Sequence, residues 1–397
     1  MTGTSMDGLD AAFIRTDGEK SIEFIDYQYI AYPSTFQNQL KQLEHCFHEA
    51  AQAQPQQTIT QAELLTAVSN LWSQYEASKL ITLSDLAVQS YQYHQDIVQN
   101  MLNKHQSLVA SYPTVIGYPG QTLYHNPKRS ISWQLSAPEQ LAKNCQQPVV
   151  SEFRQPDVDL GGQGAPLAPL YHKALVQMKN LTYPVAVINC GGIANISYIT
   201  GEDDDQVLGF DTGPGCVLLD RLVRQRTQGD KQCDQDGYYA LQGHALLPEL
   251  EELVHAIFVD KKYIQDKPPK SLDSYDLCLP ERLESLSLAD ACATLAVLTG
   301  ETVFQSLCQL PQFPQQVILV GGGWSHPVIT RHLTQKLPLN VEVATAEQLG
   351  WPNQSMEAQI FAYLAVRSLQ QKPITTPRTT GREKGTALAN VFMPEPI

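Results

Sequence analysis

Short apolar runs that end in glycine recur in both halves of the chain, and they limit its fold more than any other feature. Residues 184–190 lead into two glycines, and residues 317–320 lead into three. In the first half, residues 115–117 end in the same way. Buried strands that end in such turns, accompanied by amphipathic helices such as 288–307 and 356–369, are typical of α/β domains, whose ligands bind beyond the strand ends. The pattern predicts an α/β protein with two similar lobes and a cleft.

The length of the chain predicts two domains. Single hydrophobic cores stop growing near ~250–300 residues, whereas this chain has 397 residues, of which 43% are hydrophobic. We predict an N-terminal domain of residues 1–180 and a C-terminal domain of residues 181–397. The sequence leaves open whether the C-terminal segment packs back on the first domain. A β-hairpin is predicted over residues 9–29, and helices are predicted in the Gln- and Ala-rich region 34–102.

Charge and cysteine usage exclude several classes of function. The 27 basic and 41 acidic residues give a net charge of -14 without a long basic run, so neither a nucleic acid nor an anionic membrane is expected as a partner. The start lacks a basic segment followed by an apolar one, and no stretch approaches the ~18–20 apolar residues of a membrane span; a soluble, cytoplasmic protein is expected. The eight cysteines form no CxxC pair, which argues against a zinc site or a disulfide framework.

The first segment, GTSMDGLD, combines groups that bind phosphate. Small residues let backbone N–H groups approach an anion, and Thr4 and Ser5 add hydroxyl donors. Asp7 and Asp10 could hold Mg²⁺ or its waters, because this ion prefers oxygen ligands. On residue types alone, a plain hairpin with side-chain capping explains the segment equally well.

Three later turns have related compositions. They are Asn-Cys-Gly-Gly-Ile-Ala-Asn at 189–195, Phe-Asp-Thr-Gly-Pro-Gly at 210–215 and Val-Gly-Gly-Gly at 320–323. Each turn alone is weak evidence, because any α/β fold contains such turns. Four glycine-bearing turns in one chain favour a polyphosphate ligand.

The loop of residues 154–166 carries the most distinctive chemistry. An acid held in a loop rich in glycine and proline could accept a proton from a substrate hydroxyl or from water. Asp157 and Asp159 compete for this role, since residues two apart share a face if the chain is extended. Residues 120–125, Gly-Gln-Thr-Leu-Tyr-His, offer groups of the kind that bind sugar hydroxyls, although a lone His125 is more often structural.

These segments together resemble one protein family over nearly the whole chain. The motifs GTSMDGLD, GQTLYH, DxxxGGQGAPLAP, NCGGIANIS, FDTGPG, VGGG and GWPxxxxEAQxFAxLA occur in the order typical of the anhydro-N-acetylmuramic acid kinases. The resemblance implies a two-lobed actin/hexokinase-like (ASKHA) sugar-kinase fold with a nucleotide cleft between the lobes, ATP with Mg²⁺, and a homodimer. It also implies an unusual reaction in peptidoglycan recycling: water opens the 1,6-anhydro ring of the sugar while O6 takes the γ-phosphate, giving N-acetylmuramic acid 6-phosphate.

The resemblance also assigns roles to residues of this chain. In the family, the acid that opens the DxxxGGQGAP segment is the general base. The resemblance therefore makes Asp157 the catalytic residue and Asp159 a loop residue. Sugar contacts fall on Gln121, Thr122 and Glu357. The segment that would hold the ATP phosphates consists of Gly3, Thr4, Ser5, Met6, Asp7, Gly8, Leu9 and Asp10, with Asp7 as the candidate metal ligand. The rest of the nucleotide site consists of Asn189, Gly191, Gly192, Asn195, Asp211, Gly213, Gly215, Gly321, Gly322 and Gly323.

The chain departs from the family pattern at several places. Pro119 replaces a histidine, Glu152 replaces an aspartate, and Lys270-Ser271 is followed by an altered segment, 272–276. The family also has a short strand before GTSMDG, so either the true start lies upstream or the sheet has lost a strand. Two alternatives follow: a kinase of the same fold for another sugar, and a non-catalytic sugar- or nucleotide-binding remnant. The presence of Asp7, Asp157 and Glu357 argues against the remnant.

Overall fold

The structure, a computed structural model, divides the chain into two compact units. It describes residues 1, 6–53, 59–75, 81–255, 263, 267–272, 277–383 and 385–395. The first unit comprises Met1–Leu167, Glu357–Thr376 and Arg382–Ile397, and the second comprises Ala168–Met356 and Pro377–Gly381. The sequence-based limit near residue 180 lies later than this division, because the helix Pro169–Met178 packs on strands of the second unit.

Both units contain strands and helices. The strands are β1 (Gly8–Thr16), β2 (Ile22–Ala31), β3 (Ile116–Tyr118), β4 (Gln121–Asn126), β5 (Ile131–Leu135), β6 (Val149–Ser151), β7 (Val185–Cys190), β8 (Ile193–Ile199), β9 (Val207–Pro214), β10 (Gln316–Val320), β11 (Glu342–Thr345) and β12 (Asn390–Phe392). The helices are α1 (Ser34–Gln52), α2 (Gln61–Trp72), α3 (Leu83–Lys104), α4 (Gln106–Ser111), α5 (Pro138–Cys145), α6 (Gln155–Asp159), α7 (Pro169–Met178), α8 (Val217–Arg226), α9 (Leu247–Val254), α10 (Leu288–Cys308), α11 (Pro327–Lys336), α12 (Met356–Leu369) and α13 (Pro377–Thr380).

The first unit contains three small sheets and a helical layer. β1 and β2 form the predicted hairpin, β4 pairs antiparallel with β5, and the third sheet has the order β12-β6-β3. The predicted helices of region 34–102 are confirmed as α1, α2 and α3, while Pro55 lies outside the described residues. Phe36, Leu40 and Phe47 lie on one face of α1 and are buried in the core of this unit, as expected for an amphipathic helix.

An apolar cavity lies between β1 and β3 in this unit. It contains about 710 Å³ of empty space, part of it open to solvent, and α3 and α12 also line it. Leu9, Phe13, Ile97, Ile116 and Phe361 are among its apolar side chains. In the described part of the chain, β1 pairs with β2 and β3 pairs with β6. The backbone of Asp10 in β1 also exchanges two hydrogen bonds with Met1, at 2.7 and 2.8 Å.

The second unit is built on one five-stranded sheet with the order β11-β10-β7-β8-β9. β7, β10 and β11 are parallel, and β8 runs antiparallel to β7 and β9. β7 and β10 are buried along almost their whole length, as expected for central strands of an α/β sheet covered on both faces.

Helix α10 corrects one expectation drawn from the sequence. With 21 residues and a mean hydropathy of 1.3, it is long and apolar enough to cross a membrane by length and composition. However, 72% of its most apolar window is buried inside the unit, where it packs against α8, α9, α11 and β9. Its composition is therefore that of a core helix in a globular unit.

Candidate active site

Three glycine-bearing turns of the second unit meet at one edge of its sheet. Because β7 and β10 are parallel, the turns after Cys190 and Val320 lie side by side. β8 is antiparallel to both β7 and β9, so β9 ends at this edge as well. The structure thus brings together residues 191–192, 213–215 and 321–323, at the strand ends where α/β sheets bind ligands.

A row of polar residues crosses the sheet beside these turns. Asn189 is paired with Asn195, and Asn195 is paired with Asp211. Paired residues of neighbouring strands project to the same face of a sheet, so the three side chains share one face. Oδ1 of Asn195 is buried, and among the described residues no donor reaches it. A hydrogen-bond donor of a ligand or a water could satisfy this oxygen.

The glycines at this edge fall into two groups. Gly215 and Gly323 have no room for a side chain, since an added Cβ would lie 2.2 Å from the Gly191 carbonyl oxygen or 2.4 Å from Cys190 Sγ, respectively. The Gly215 N–H also donates to the Gly192 carbonyl at 2.9 Å. By contrast, a Cβ on Gly322 would meet nothing within 4 Å, and one on Gly191 nothing closer than 3.9 Å. The first group lets the turns pack together, and the second leaves bare backbone facing open space.

The segment that begins at Lys270 forms hydrogen bonds with Asp211. Asp211 is buried, its Oδ2 accepts the Leu272 N–H at 2.8 Å, and its own N–H donates to the Lys270 carbonyl at 3.0 Å. The buried Lys270 ammonium donates to the Tyr263 carbonyl at 2.6 Å and lies 4.5 Å from the centre of the Tyr263 ring. Residues 273–276 of this segment lie outside the described residues. Its described part therefore supports the polar row of the second unit.

Two acids and a histidine, Asp220, Asp234 and His326, form a cluster near these turns. Sequence reasoning missed this cluster, because Asp220 and His326 are 106 residues apart in the chain. Asp234 accepts hydrogen bonds from the N–H groups of Tyr239 (2.7 Å) and Ala240 (3.0 Å) and pairs with His326 Nε2 at 3.2 Å. Burial raises the pKa of Asp220 to about 6, against the opposing effects of Arg224 and His326, and Asp234 adds to the increase. Asp220 is thus an acid whose ionised form the fold disfavours.

Asp220→Asn is expected to stabilise the protein at pH 7.5 by about 1–3 kcal/mol, since one pKa unit corresponds to about 1.4 kcal/mol. Below pH 3.8, the ordinary pKa of an aspartate, Asp220 is protonated in both the folded and the unfolded protein. As pH rises from there to about 6, the unfolded protein ionises Asp220 more readily than the folded protein does, and stability is lost. The gain from asparagine should therefore shrink toward pH 4. Thermal unfolding at both pH values measures it, with the exposed Asp205→Asn as control. An equal gain at both pH values would contradict the assignment.

In the first unit, the Asp157 carboxylate is completely buried and bound on both oxygens. Oδ2 accepts the Gly164 N–H at 2.8 Å, and Oδ1 accepts the Thr375 hydroxyl at 2.5 Å. Gly162 lies so close that an added Cβ would be 2.1 Å from Oδ2. Gly164 has φ 64°, a left-handed conformation that favours glycine. The GGQG loop therefore folds around this carboxylate.

The structure separates the two acids that the sequence could not distinguish. Both belong to α6, in which successive side chains turn by about 100°, so Asp157 and Asp159 point in nearly opposite directions. Asp159 is exposed, and its Oδ1 accepts a hydrogen bond from Gln155 Nε2 at 2.6 Å. Only Asp157 lies inside the loop.

The β4–β5 hairpin is fastened to the same loop. Gln155 Oε1 accepts the Ser132 N–H at 2.7 Å, and Ser132 Oγ is 2.9 Å from His125 Nδ1. Burial lowers the pKa of His125 to about 3, and the nearby Arg154 adds to this. His125 is therefore neutral at neutral pH. Gln121, on β4, is buried with an Oε1 that no donor among the described residues reaches.

Asp10 and Glu357 form an acidic pair in the first unit. Burial raises the pKa of Asp10, although the hydrogen bond from the Tyr27 hydroxyl at 2.5 Å opposes the increase. Glu357, at the start of α12, reaches solvent, but the protein atoms around its carboxyl group and the charge of Asp10 raise its pKa. Arg154 acts in the opposite direction on Glu357.

The predicted phosphate turn is described only in part. Gly3, Thr4 and Ser5 lie outside the described residues. Met6 is buried in a left-handed conformation with φ 52°, and Asp7 is exposed. The segment predicted as a turn over residues 3–10 is corrected at its end, because Gly8–Asp10 is the first part of β1, where pairing with β2 extends the backbone and Leu9 enters the core.

Two departures from the family pattern also lie in the first unit. Pro119 is buried between β3 and β4, directly before Gly120 and the candidate sugar residues Gln121 and Thr122. Glu152 follows β6 in a left-handed conformation with φ 58° and accepts a hydrogen bond from Asn390 Nδ2 at 2.5 Å. Glu152 therefore ties β12 to this unit.

Comparison with known proteins gives a consistent result. Residues 48–394 match the sequence model of the family described as anhydro-N-acetylmuramic acid kinase. An anhydro-N-acetylmuramic acid kinase of Zymomonas mobilis is 35% identical over 96% of this chain and 95% of its own length. Two further anhydro-N-acetylmuramic acid kinases give similar values. The protein of Phenylobacterium zucineum is 35% identical over 100% of this chain and 98% of its own length. The protein of Rhodopseudomonas palustris is 37% identical over 96% of this chain and 94% of its own length.

A solved structure, the activator of the 2-hydroxyisocaproyl-CoA dehydratase from Clostridium difficile with bound ADPNP, also matches. It covers 50% of this chain and 67% of its own, with 16% identity and a TM-score of 0.30, which is too low to support an argument. The family match and the full-length relatives suffice: the chain belongs to the anhydro-N-acetylmuramic acid kinase family.

Proposed function

We propose that Asp157 is the general base with which this kinase opens 1,6-anhydro-N-acetylmuramic acid during phosphoryl transfer from ATP. The observation that carries the proposal is the Asp157 carboxylate, buried and fixed by Gly164 and Thr375 within a loop that only glycines can form so closely. A general base needs a fixed position within hydrogen-bond reach of the proton that it accepts. Each carboxylate oxygen has two lone pairs, so the hydrogen bonds from Gly164 and Thr375 do not by themselves exhaust its capacity as an acceptor.

The proposed reaction balances with one water molecule. The water oxygen attacks C1 of the sugar and gives a proton to Asp157, and the bond between C1 and O6 breaks. O6 takes the γ-phosphoryl group, and the bond between that group and ADP breaks. The products are N-acetylmuramic acid 6-phosphate and ADP. The protein contributes mainly positioning and charge, as in phosphoryl transfer generally.

Gln121, Thr122 and Glu357 are proposed to bind the sugar. The buried Oε1 of Gln121 lacks a donor among the described residues and suits a sugar hydroxyl or amide N–H. Such an oxygen is costly to bury unpaired. Glu357 has a raised pKa and a solvent-facing side chain, which suits hydrogen bonding to sugar hydroxyls in either protonation state.

Two groups of residues are proposed to contact the nucleotide. In the second unit, Asn189, Asn195 and Asp211 supply polar groups, and Gly191 and Gly322 supply bare backbone that a base or ribose can approach. The remaining glycines, 192, 213, 215, 321 and 323, shape these turns. In the first unit, residues 3–10 are proposed to hold the phosphates.

Mg²⁺ is proposed to accompany ATP, with Asp7 as its protein ligand. Among the described residues, no three His, Cys, Asp or Glu side chains form a metal-binding group. Magnesium at nucleotide sites needs only one or two carboxylates besides phosphate oxygens and water, and the exposed Asp7 carboxylate fits that need. When bound, the ion would neutralise charge on the phosphates. A homodimer and a cytoplasmic location stay predictions; sedimentation and cell fractionation test them.

Turnover in oxygen-18 water tests the proposed reaction. With ATP and 1,6-anhydro-N-acetylmuramic acid, we expect the label at C1 of the product and none on phosphorus, because water attacks carbon and O6 attacks phosphorus. Mass spectrometry of promptly quenched product and phosphorus NMR measure the two positions. Label on the phosphoryl group of the product would contradict the mechanism. A panel of other sugars serves as control, and exclusive activity on another sugar would favour the same-fold alternative.

A further inference from the structure

Thr375 contacts the proposed base although it lies 218 residues away in the sequence. Its side chain is 1% exposed, and its hydroxyl donates to Asp157 Oδ1 at 2.5 Å. Gly164 holds the other oxygen of the same carboxylate through its N–H. Two donors on two different oxygens fix the rotation of a carboxylate about its last bond, which one donor cannot do.

The segment that carries Thr375 is itself held from several sides within the first unit. The Thr375 carbonyl accepts a hydrogen bond from Arg382 Nη2 at 3.2 Å, and the Ile374 N–H donates to the Ala387 carbonyl at 3.1 Å. The Glu383 N–H donates to the Leu160 carbonyl, one residue after α6, at 3.3 Å. The C-terminal segment 382–387 therefore links Thr375 to the loop that contains the base.

We infer that Thr375 is a positioning residue, whose hydroxyl orients the Asp157 carboxylate for proton transfer. The inference rests on the proposed role of Asp157 and adds to it a residue that does not touch the reacting atoms. A hydrogen bond to a carboxylate is among the strong hydrogen bonds of proteins, and a general base must be held within hydrogen-bond reach of the proton that it accepts. Placement through a second residue is the usual means of holding a catalytic group in one productive geometry.

Thr375→Val tests the inference, because valine has nearly the shape of threonine without the hydroxyl. We expect kcat to fall by about 10- to 100-fold, as for the loss of a hydrogen bond to a charged group, while KM for ATP and for the sugar stays within about twofold. Thr375→Ser, which keeps the hydroxyl, should restore the rate.

Charged and titratable groups near this loop in the described part of the chain include Arg154, directly before α6, His125 on β4, and Arg382 and Glu383 on the C-terminal segment. All of them are retained in the Val and Ser variants, so a change in kcat that serine reverses reports the hydroxyl. If the valine variant does not fold, Thr375→Ala removes the hydroxyl without adding volume and carries the same expectations.

The outcomes separate this inference from the proposed function. A normal kcat in Thr375→Val, or failure of serine to restore the rate, would overturn the positioning role. In an Asp157→Asn background, Thr375→Val should lower kcat no further, since both changes remove one function. If Asp157→Asn itself keeps full activity, the proposed function fails. If that variant is inactive while Thr375→Val is unaffected, only the present inference fails.

Discussion

Asp157→Asn is expected to lower kcat by about 10²- to 10⁴-fold, the usual contribution of a general base, with nucleotide affinity little changed. Asparagine has the shape of aspartate but cannot accept a proton at neutral pH. Its amide oxygen can accept the Gly164 N–H, and its NH₂ group can donate to the Thr375 hydroxyl oxygen, which also accepts. The contacts with Gly164 and Thr375 therefore survive, so the loss should be one of chemistry and not of folding.

Asp159→Asn is the matched control for this variant. It makes the same chemical change two residues later in α6, on an exposed side chain, and is expected to keep near-normal kcat. Steady-state kinetics, thermal unfolding and equilibrium ADP binding should be measured for both variants. If Asp159→Asn loses activity and Asp157→Asn keeps it, the base has been assigned to the wrong acid. A large fall in melting temperature in Asp157→Asn alone would instead indicate a structural role.

The sequence predicted the family, an α/β fold and a sugar kinase. The comparisons confirm the family and its kinase activity, and the structure confirms the α/β fold. Motif order carries such information because each glycine turn must follow a strand at a fixed place in the fold. The sequence assigned three glycine turns, 191–192, 213–215 and 321–323, to one site. The directions of the strands before them bring these turns to one edge of the sheet.

Other parts of the site could not be predicted because they depend on contacts between distant segments. No local pattern marks Thr375 as a partner of Asp157, since its segment approaches α6 only through the hydrogen bonds of residues 382–387. Asp220, Asp234 and His326 are similarly separated in sequence and meet only in the folded unit. The sequence could not choose between Asp157 and Asp159 as the base because the conformation of the loop was unknown. The chain forms a helical turn there.

Alanine substitution of the adjacent glycines 322 and 323 is expected to affect different properties: ATP binding at Gly322 and stability at Gly323. Gly323→Ala would place Cβ 2.4 Å from Cys190 Sγ and 2.9 Å from the Cys190 carbonyl oxygen. The sulfur can move, but the backbone oxygen is part of β7, so we expect a loss of about 1–3 kcal/mol in the free energy of unfolding, as for an overpacked core.

Gly322→Ala is expected to leave stability unchanged within about 1 kcal/mol, because its Cβ would enter open space. If the nucleotide packs against this bare backbone, the added methyl group occupies the volume of the ligand, and KM for ATP should rise about tenfold or more, which corresponds to about 1.4 kcal/mol. Gly191→Ala, whose Cβ would also point into space, provides a second test of the same surface.

Denaturant unfolding and ATP titration of the three variants decide between packing and binding roles for these glycines. Normal ATP affinity in both Gly191→Ala and Gly322→Ala would remove this surface from the nucleotide site, however well the variants fold. Full stability in Gly323→Ala would show that β7 and the following turn can separate at little cost. The two adjacent positions share one turn and one substitution, so a difference between them can come only from what each Cβ meets.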